Sequence, residues 1–377
     1  MPSNNQVSAK FWNRFLPYGI YFFIFWYILL CVVNYFNQRP LWNDEECVFL
    51  SLKSYTIKQM FTQQLASLQV FPRVYLFLIQ AFSRLFDFHI LSLRFPSFAC
   101  MIFAFFIWLR LARYEMENKL EYLTFVLSWC ASSMLIYYSS ELKQYSMDVL
   151  VAALYLLFIF KASRLKQEKQ NFIYAAMLLT LPFLGLLSYT AFFFPPIILY
   201  NFIVLSRTNK AYLKDIFILG TAFGVSLAVS YTFDMRLRPA GILSTSWQDY
   251  FISLKSAGEF FKTFGEGVMN LFVRWFAENP RSIKRLGVVF MIFGMFNLVY
   301  SFLKYIKKEH YMIKSLNTIS FILFLELLIA GVFQKYPFTV PRTSLFYCPI
   351  VLYLTIKGIG ALKEFNKYAY AAAQGLF

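Results

Sequence analysis

The chain has 377 residues, 59% of them hydrophobic and 15% charged, where soluble globular domains carry about 25% charged residues. Apolar runs longer than roughly 18 residues recur along its whole length and read as membrane spans rather than as the core of a soluble domain. The net charge of +17 would suggest nucleic acid in a soluble protein. Here Lys and Arg gather in short loops between apolar runs, the pattern that orients a membrane protein, so nucleic acid is excluded as a partner.

In chain order, hydropathy marks runs at about 16–36, 74–88, 92–113, 120–138, 147–162, 171–188, 189–206, 215–232, 285–304, 315–334 and 343–360. The first is long enough to span and lacks a small-residue cleavage site, so it reads as an anchor rather than a signal peptide. The second is only about 15 residues, roughly 22 Å of helix against a hydrocarbon layer near 30 Å, and it carries Arg84 and Asp87. If it lies in the interface, the N-terminus, 109–119, 161–170, 206–214, 304–314 and the tail from Lys357 fall on one side. Together they hold 19 of the 36 Lys and Arg. The short loops on the other side hold Lys143, Lys335 and Arg342. The positive-inside rule then predicts an all-α polytopic protein of about ten transmembrane helices, both termini cytoplasmic.

This divides the chain into a seven-span module over 1–232, with a first external loop at 37–91, an external interfacial loop at 233–284, and three spans with a short tail over 285–377. The first loop is expected to hold an interfacial helix near Glu46–Leu65 and then the 74–88 helix. In the second, Trp247, Phe251, Phe260, Phe261, Phe264 and Trp275 alternate with polar residues, as in helices lying on a membrane surface. Four of five cysteines lie inside apolar runs and there are two histidines, so neither a disulfide framework nor a His-based metal cage is visible. No Asn-x-Ser/Thr sequon occurs, consistent with a bacterial source.

External acidic groups are few. Asp44-Glu45-Glu46 follows the first span; a carboxylate there can serve as a general base or hold a divalent cation. Alternatively it belongs to a capping turn, with Asn43 or Asp44 at the cap. Between the third and fourth spans, Glu141, Tyr145 and Asp148 are spaced i, i+4, i+7 and would share one face if helical. The alternative is a polar loop with an internal Glu141–Lys143 pair. The external basic groups Arg39, Arg73, Arg84, Lys143, Arg236, Arg238 and Arg342 suit a lipid phosphate, or headgroup anchoring. Glu326 lies mid-span, where a charge is costly unless neutralised or paired.

Asp44-Glu45 after the first span, Leu91-Ser92-Leu93-Arg94-Phe95-Pro96-Ser97, Ser140-Glu141-Leu142-Lys143-Gln144-Tyr145-Ser146 and Tyr336-Pro337-Phe338…Pro341-Arg342 together resemble the GT-C glycosyltransferases. Within them the pattern looks like the dolichyl-phosphate-mannose protein mannosyltransferase and aminoarabinose transferase group, whose members transfer sugars from lipid-phosphate carriers. The resemblance implies extracytoplasmic juxtamembrane helices and inverting transfer of one sugar from a polyprenyl-phosphate carrier to a glycan, lipid or protein acceptor. It implies Asp44 as general base, Glu45 as the neighbour that shapes the site, and Glu141 with Tyr145 in substrate positioning. Arg or Lys residues would hold the phosphate. The candidate substrate-binding set is thus Arg73, Lys143, Tyr145, Asp148, Arg236, Arg238, Tyr336 and Arg342. No metal ligand or certain cofactor is assigned, though a divalent cation would be compatible. The expected setting is the bacterial inner membrane, with the site facing outward.

The chain departs from the family pattern at Val70-Phe71-Pro72-Arg73, where His-Pro-Pro is usual, and at Lys143, where Arg is commoner. Trp247-Gln248-Asp249-Tyr250 has only a superficial likeness to the Trp-rich motif of oligosaccharyltransferases. A flippase would instead show inverted repeats and several intramembrane polar groups; Pro195-Pro196 and Glu326 are the only such hints. A polysaccharide polymerase would share the basic outer loops. The loop charges predict that cysteines placed at Ser140 or Trp247 react with an impermeant thiol reagent from outside, and those placed at Lys166 or Lys307 do not. Outside labelling at 166 overturns the ten-span reading.

Overall fold

The computed structural model describes residues 4–167, 171–237, 247–275, 281–306, 313, 315–338 and 340–365. Among these the secondary structure is helical throughout: α1 (Asn4–Phe36), α2 (Asn43–Ser54), α3 (Ile57–Thr62), α4 (Arg73–Arg84), α5 (Ile90–Glu115), α6 (Lys119–Ala131), α7 (Ser133–Tyr138), α8 (Tyr145–Gln167), α9 (Asn171–Thr180), α10 (Pro195–Thr208), α11 (Tyr212–Phe233), α12 (Ala257–Val273), α13 (Arg281–Ile306), α14 (Leu316–Val332) and α15 (Cys348–Phe365). The chain is an all-α polytopic membrane protein.

Among the described residues, six stretches are long and apolar enough to cross a bilayer: Phe15–Phe36, Ile90–Glu115, Tyr145–Ala162, Tyr189–Thr208, Tyr212–Leu237 and Pro341–Ala361. Three shorter apolar helices lie at Phe172–Leu186, Gly287–Leu303 and Leu316–Val332. The expected span at 120–138 is broken at Ser132, which caps α6 at one end and α7 at the other. Its hydroxyl donates to the Trp275 carbonyl (2.9 Å) and accepts from the Leu135 N–H (3.4 Å). A break in an apolar helix is tolerable where protein groups meet the freed backbone. Pro195 and Pro196 open α10 rather than interrupting a helix, the positions where a missing N–H costs least.

The stretch expected as one helix near Glu46–Leu65 is divided in two, α2 ending at Ser54 and α3 spanning Ile57–Thr62. Tyr55 and Thr56 adopt extended backbone, and Thr56 with Gln59 forms a capping box that starts α3. Helix α4, at 12 residues, is about 18 Å long and too short to cross. Its buried polar side holds the loop together: the Gln80 amide donates to the Leu52 and Tyr55 carbonyls (2.7 and 2.8 Å).

Helix α15 is the most enclosed of the long apolar segments, whereas α1 leaves Tyr18, Tyr21, Phe25 and Phe36 on the outer surface. Close packing around α15 relies on small residues, as is common between membrane helices. A Cβ on Gly358 would collide with the Phe293 carbonyl in α13, and one on Gly294 with the Phe272 ring. At the far end of the bundle the Tyr353 hydroxyl donates to Glu115 (3.0 Å) and Lys357 pairs with Glu117 (2.9 Å). Because the obstruction at Gly358 is backbone, Gly358→Val should cost about 1–3 kcal/mol or more. A lowered melting temperature in detergent is the readout.

Candidate functional site

Three segments distant in sequence converge at one end of the bundle: the start of α2, the turn 139–144, and the 3-10 turn Pro341–Tyr347 that leads into α15. The organising contact is Glu45 with Arg94 of α5, both fully buried. Arg94 Nε donates to Glu45 Oε1 (3.2 Å) and Nη2 to Oε2 (2.8 Å), a two-pronged pair of the kind guanidinium favours. Glu45 also accepts from Arg39 Nη1 (3.2 Å), the Leu142 N–H (2.7 Å) and the Trp42 N–H (3.3 Å). Arg94 in turn holds the Arg39 carbonyl (2.8 Å). One carboxylate thus fixes the first loop, α5 and the 139–144 turn against each other.

Trp42, not Asn43 or Asp44, is the cap of α2, which removes the capping role considered for Asp44. The Glu45 carboxylate reaches back to the cap N–H in its place. With Glu45 turned inward, Asp44, about 100° away around the helix, projects outward and meets Arg342 Nη1 at 2.9 Å. Both partners remain about a quarter exposed (26% and 27%). The Arg342 guanidinium also lies over the rings of Trp42 and Trp247, each 5.6 Å from the ring centre, a placement that adds cation–π attraction.

Glu141 differs from both. It sits in an irregular turn, since α8 begins only at Tyr145, so the helical stripe of Glu141, Tyr145 and Asp148 does not form. Its Oε1 accepts from the Trp42 indole N–H (3.2 Å), while Oε2 is buried with no hydrogen-bond partner. Burial, reinforced by the Glu45 charge and opposed by Lys143 and Arg39, pushes its carboxyl up to about 8. Lys143 is buried, donates to Gln69 Oε1 (2.6 Å), and has its ammonium pulled below the usual lysine range by burial. The charges of Asp44 and Glu141 oppose that shift. Tyr145 is buried at the start of α8, its ring edge-on to Tyr138.

The remaining candidates are distributed elsewhere. Arg73 donates to the Met60 carbonyl (2.8 Å) and pairs with Asp234 (3.7 Å). Asp148 accepts from Ser188 Oγ (2.5 Å), and the Tyr336 hydroxyl donates to the Thr343 carbonyl (2.6 Å). Arg236 is exposed in the turn Met235–Leu237; Arg238 lies outside the described residues. Glu326 Oε2 has no hydrogen-bond partner. Among the described residues no three His, Cys, Asp or Glu side chains converge as a metal-ion site. Arg94 is absent from the sequence-derived candidates, although a charge inside an apolar run is a signal in itself. Trp42 and Gln69 carry no comparable signal.

The site therefore joins a partly exposed carboxylate–guanidinium pair to a buried carboxyl with one unpartnered oxygen and a buried amine, at the surface of an apolar bundle. Residues 71–232 match the family model described as dolichyl-phosphate-mannose-protein mannosyltransferase. That match supports a membrane glycosyltransferase of the GT-C type. It covers under half of the chain and includes Arg94, Glu141 and Lys143, but not Asp44, Glu45 or Arg342. No curated protein and no solved structure matches the chain.

Breaking the buried pair from one side leaves an uncompensated charge, so Glu45→Gln or Arg94→Met should cost about 3–5 kcal/mol. Asp44→Asn, at a partly exposed pair, should cost about 1 kcal/mol or less; comparison of melting temperatures separates the two. Glu141 adds a pH signature. Its carboxyl binds protons more readily folded than unfolded, so its contribution is full below pH about 4.5 and is lost as pH rises through about 8. Glu141→Gln should flatten that fall in melting temperature and be the more stable protein above pH 8.

Proposed function

We propose that the chain is an inverting glycosyltransferase that moves a single sugar from a polyprenyl-phosphate carrier to an acceptor at the extracytoplasmic face of a bacterial inner membrane. The observation that carries this reading is the Asp44–Arg342 pair, 2.9 Å apart and drawn from segments 298 residues apart. It puts a candidate base and a candidate phosphate-binding group together where the bundle meets its surface. The distribution of basic residues supports the outward orientation.

In this reading the pair is the resting state. A lipid phosphate competes for the Arg342 guanidinium, which phosphate engages in the same forked manner as carboxylate, and Asp44 is released. Asp44 then takes the proton of the acceptor hydroxyl as its oxygen attacks the anomeric carbon. The carbon–oxygen bond to phosphate breaks, its electron pair leaves with polyprenyl phosphate, and the anomeric centre inverts. Arg342 and Lys143 stabilise charge gathering on the leaving phosphate, an electrostatic contribution strengthened by the dry surroundings of Lys143. Glu141 acts as a positioning residue: it holds the Trp42 indole, and Trp42 both caps the helix bearing Asp44 and underlies Arg342. Tyr145 lines the same end of the site.

The test is transfer by purified protein in lipid nanodiscs. Asp44→Asn should lower the rate by at least about a hundredfold, the usual worth of a general base, while polyprenyl-phosphate binding stays within a factor of about two. Arg342→Gln should weaken that binding by about tenfold, or 1.4 kcal/mol. Transfer by Asp44→Asn at the unaltered rate would remove Asp44 as the base.

A further inference from the structure

Arg342 has a second neighbourhood. Beyond it lies a cavity of about 300 Å³, bordered by the 3-10 turn Gln248–Tyr250, one face of α12 and residues 340–342. Glu266, Asn270 and Arg274 line it at successive intervals of four, a polar stripe along α12 and just past its end. The opposite stripe, Val268, Leu271 and Phe272, is buried in the bundle. Trp247, Asp249 and Tyr250 form the facing wall, and the rings of Trp247 and Tyr250 meet at 60° with centres 5.6 Å apart.

The chemistry of this lining is selective. Two carboxylates, Asp249 and Glu266, balance two guanidiniums, Arg274 and Arg342, so neither an anion nor a cation is favoured on net charge. Carboxylate, amide and guanidinium groups together offer donors and acceptors at several angles, and the two aromatic rings offer apolar faces with a polar edge. A ligand matching both is small, neutral, rich in hydroxyl groups and apolar across its ring faces. The volume is at the small end for ligand pockets, a size suited to sugar-ring recognition. A peptide backbone or an acyl chain uses little of this set.

We propose that this cavity is the acceptor subsite and that it takes a sugar ring, so that the acceptor is a glycan. The inference rests on the transferase reading above and narrows it. Arg342 is the shared wall: when it turns from Asp44, a hydroxyl of a ring seated against Trp247 and Tyr250 gains access to the Asp44 carboxylate.

Saturation-transfer NMR on the purified full chain, with methyl glycosides of glucose, mannose, galactose and N-acetylglucosamine as probes, tests this. At least one glycoside should bind saturably, and Tyr250→Ala and Glu266→Gln, both at exposed side chains, should each weaken it about tenfold without lowering the melting temperature. Polyprenyl phosphate, added to the same samples, should bind without displacing the glycoside. Binding of polyprenyl phosphate but of no glycoside overturns this inference alone, as does glycoside binding indifferent to both substitutions. Displacement of the glycoside by polyprenyl phosphate assigns the cavity to the donor and overturns the acceptor assignment. Binding of neither probe overturns the transferase reading and this inference with it.

Discussion

A carboxylate with no access to water must be met on every side, and at Glu45 five donors meet it. The desolvation of two buried charges is offset only when geometry and additional hydrogen bonds are this complete. That requirement is what gives the first loop a single arrangement. Arg94 is delivered by a rigid helix, Leu142 by the turn ahead of α8, and Trp42 by the chain entering α2. None can move far without orphaning a charge in low dielectric. The partly exposed Asp44 is then aimed by helix geometry toward its pair with Arg342. Precision at that pair thus owes much to the residue next to it.

Much of this was legible in the sequence. Runs of high hydropathy located the long helices, and the shortness of 74–88 with its Arg84 and Asp87 marked α4 as a segment too short to cross. The scarcity of outer acids singled out Asp44, Glu45 and Glu141. What could not be read was the direction each side chain takes. Helical spacing joined Glu141 to Tyr145 and Asp148, but the helix starts after Glu141, and Asp148 turns to Ser188. Spacing describes a face only where the backbone is helical, and the onset of α8 depends on tertiary contacts of the 139–144 turn, including the Leu142 N–H on Glu45. Likewise Arg73 could have faced a ligand, yet the Met60 carbonyl and Asp234 lie within its reach. Ser132 divides an apolar run that hydropathy reads as continuous, because averaging over a window does not register one extended residue.

The two carboxyls near Arg342 differ by environment rather than by type. Asp44 stays about a quarter exposed beside a guanidinium; Glu141 has an indole donor on one oxygen and no partner on the other. Burial favours the protonated form of Glu141 through neutral pH, which keeps a second negative charge away from the place where a phosphate would sit. A charged Glu141 would oppose an anionic ligand there.

Asp44 and Arg342 lie 298 residues apart, and this separation governs when the site comes into being. At about 5–20 residues per second of synthesis, roughly 15–60 seconds pass between their emergence from the ribosome. The Glu45–Arg94 pair is available early, once α5 is made, so the first loop can settle around its own buried charge while Asp44 still faces solvent with no counter-charge from the late turn. The site closes only when the Pro341–Tyr347 turn and α15 join the bundle. Formation of the pair is thereby tied to completion of biosynthesis: a nascent chain lacking that turn has the Asp44 carboxylate but no guanidinium beside it.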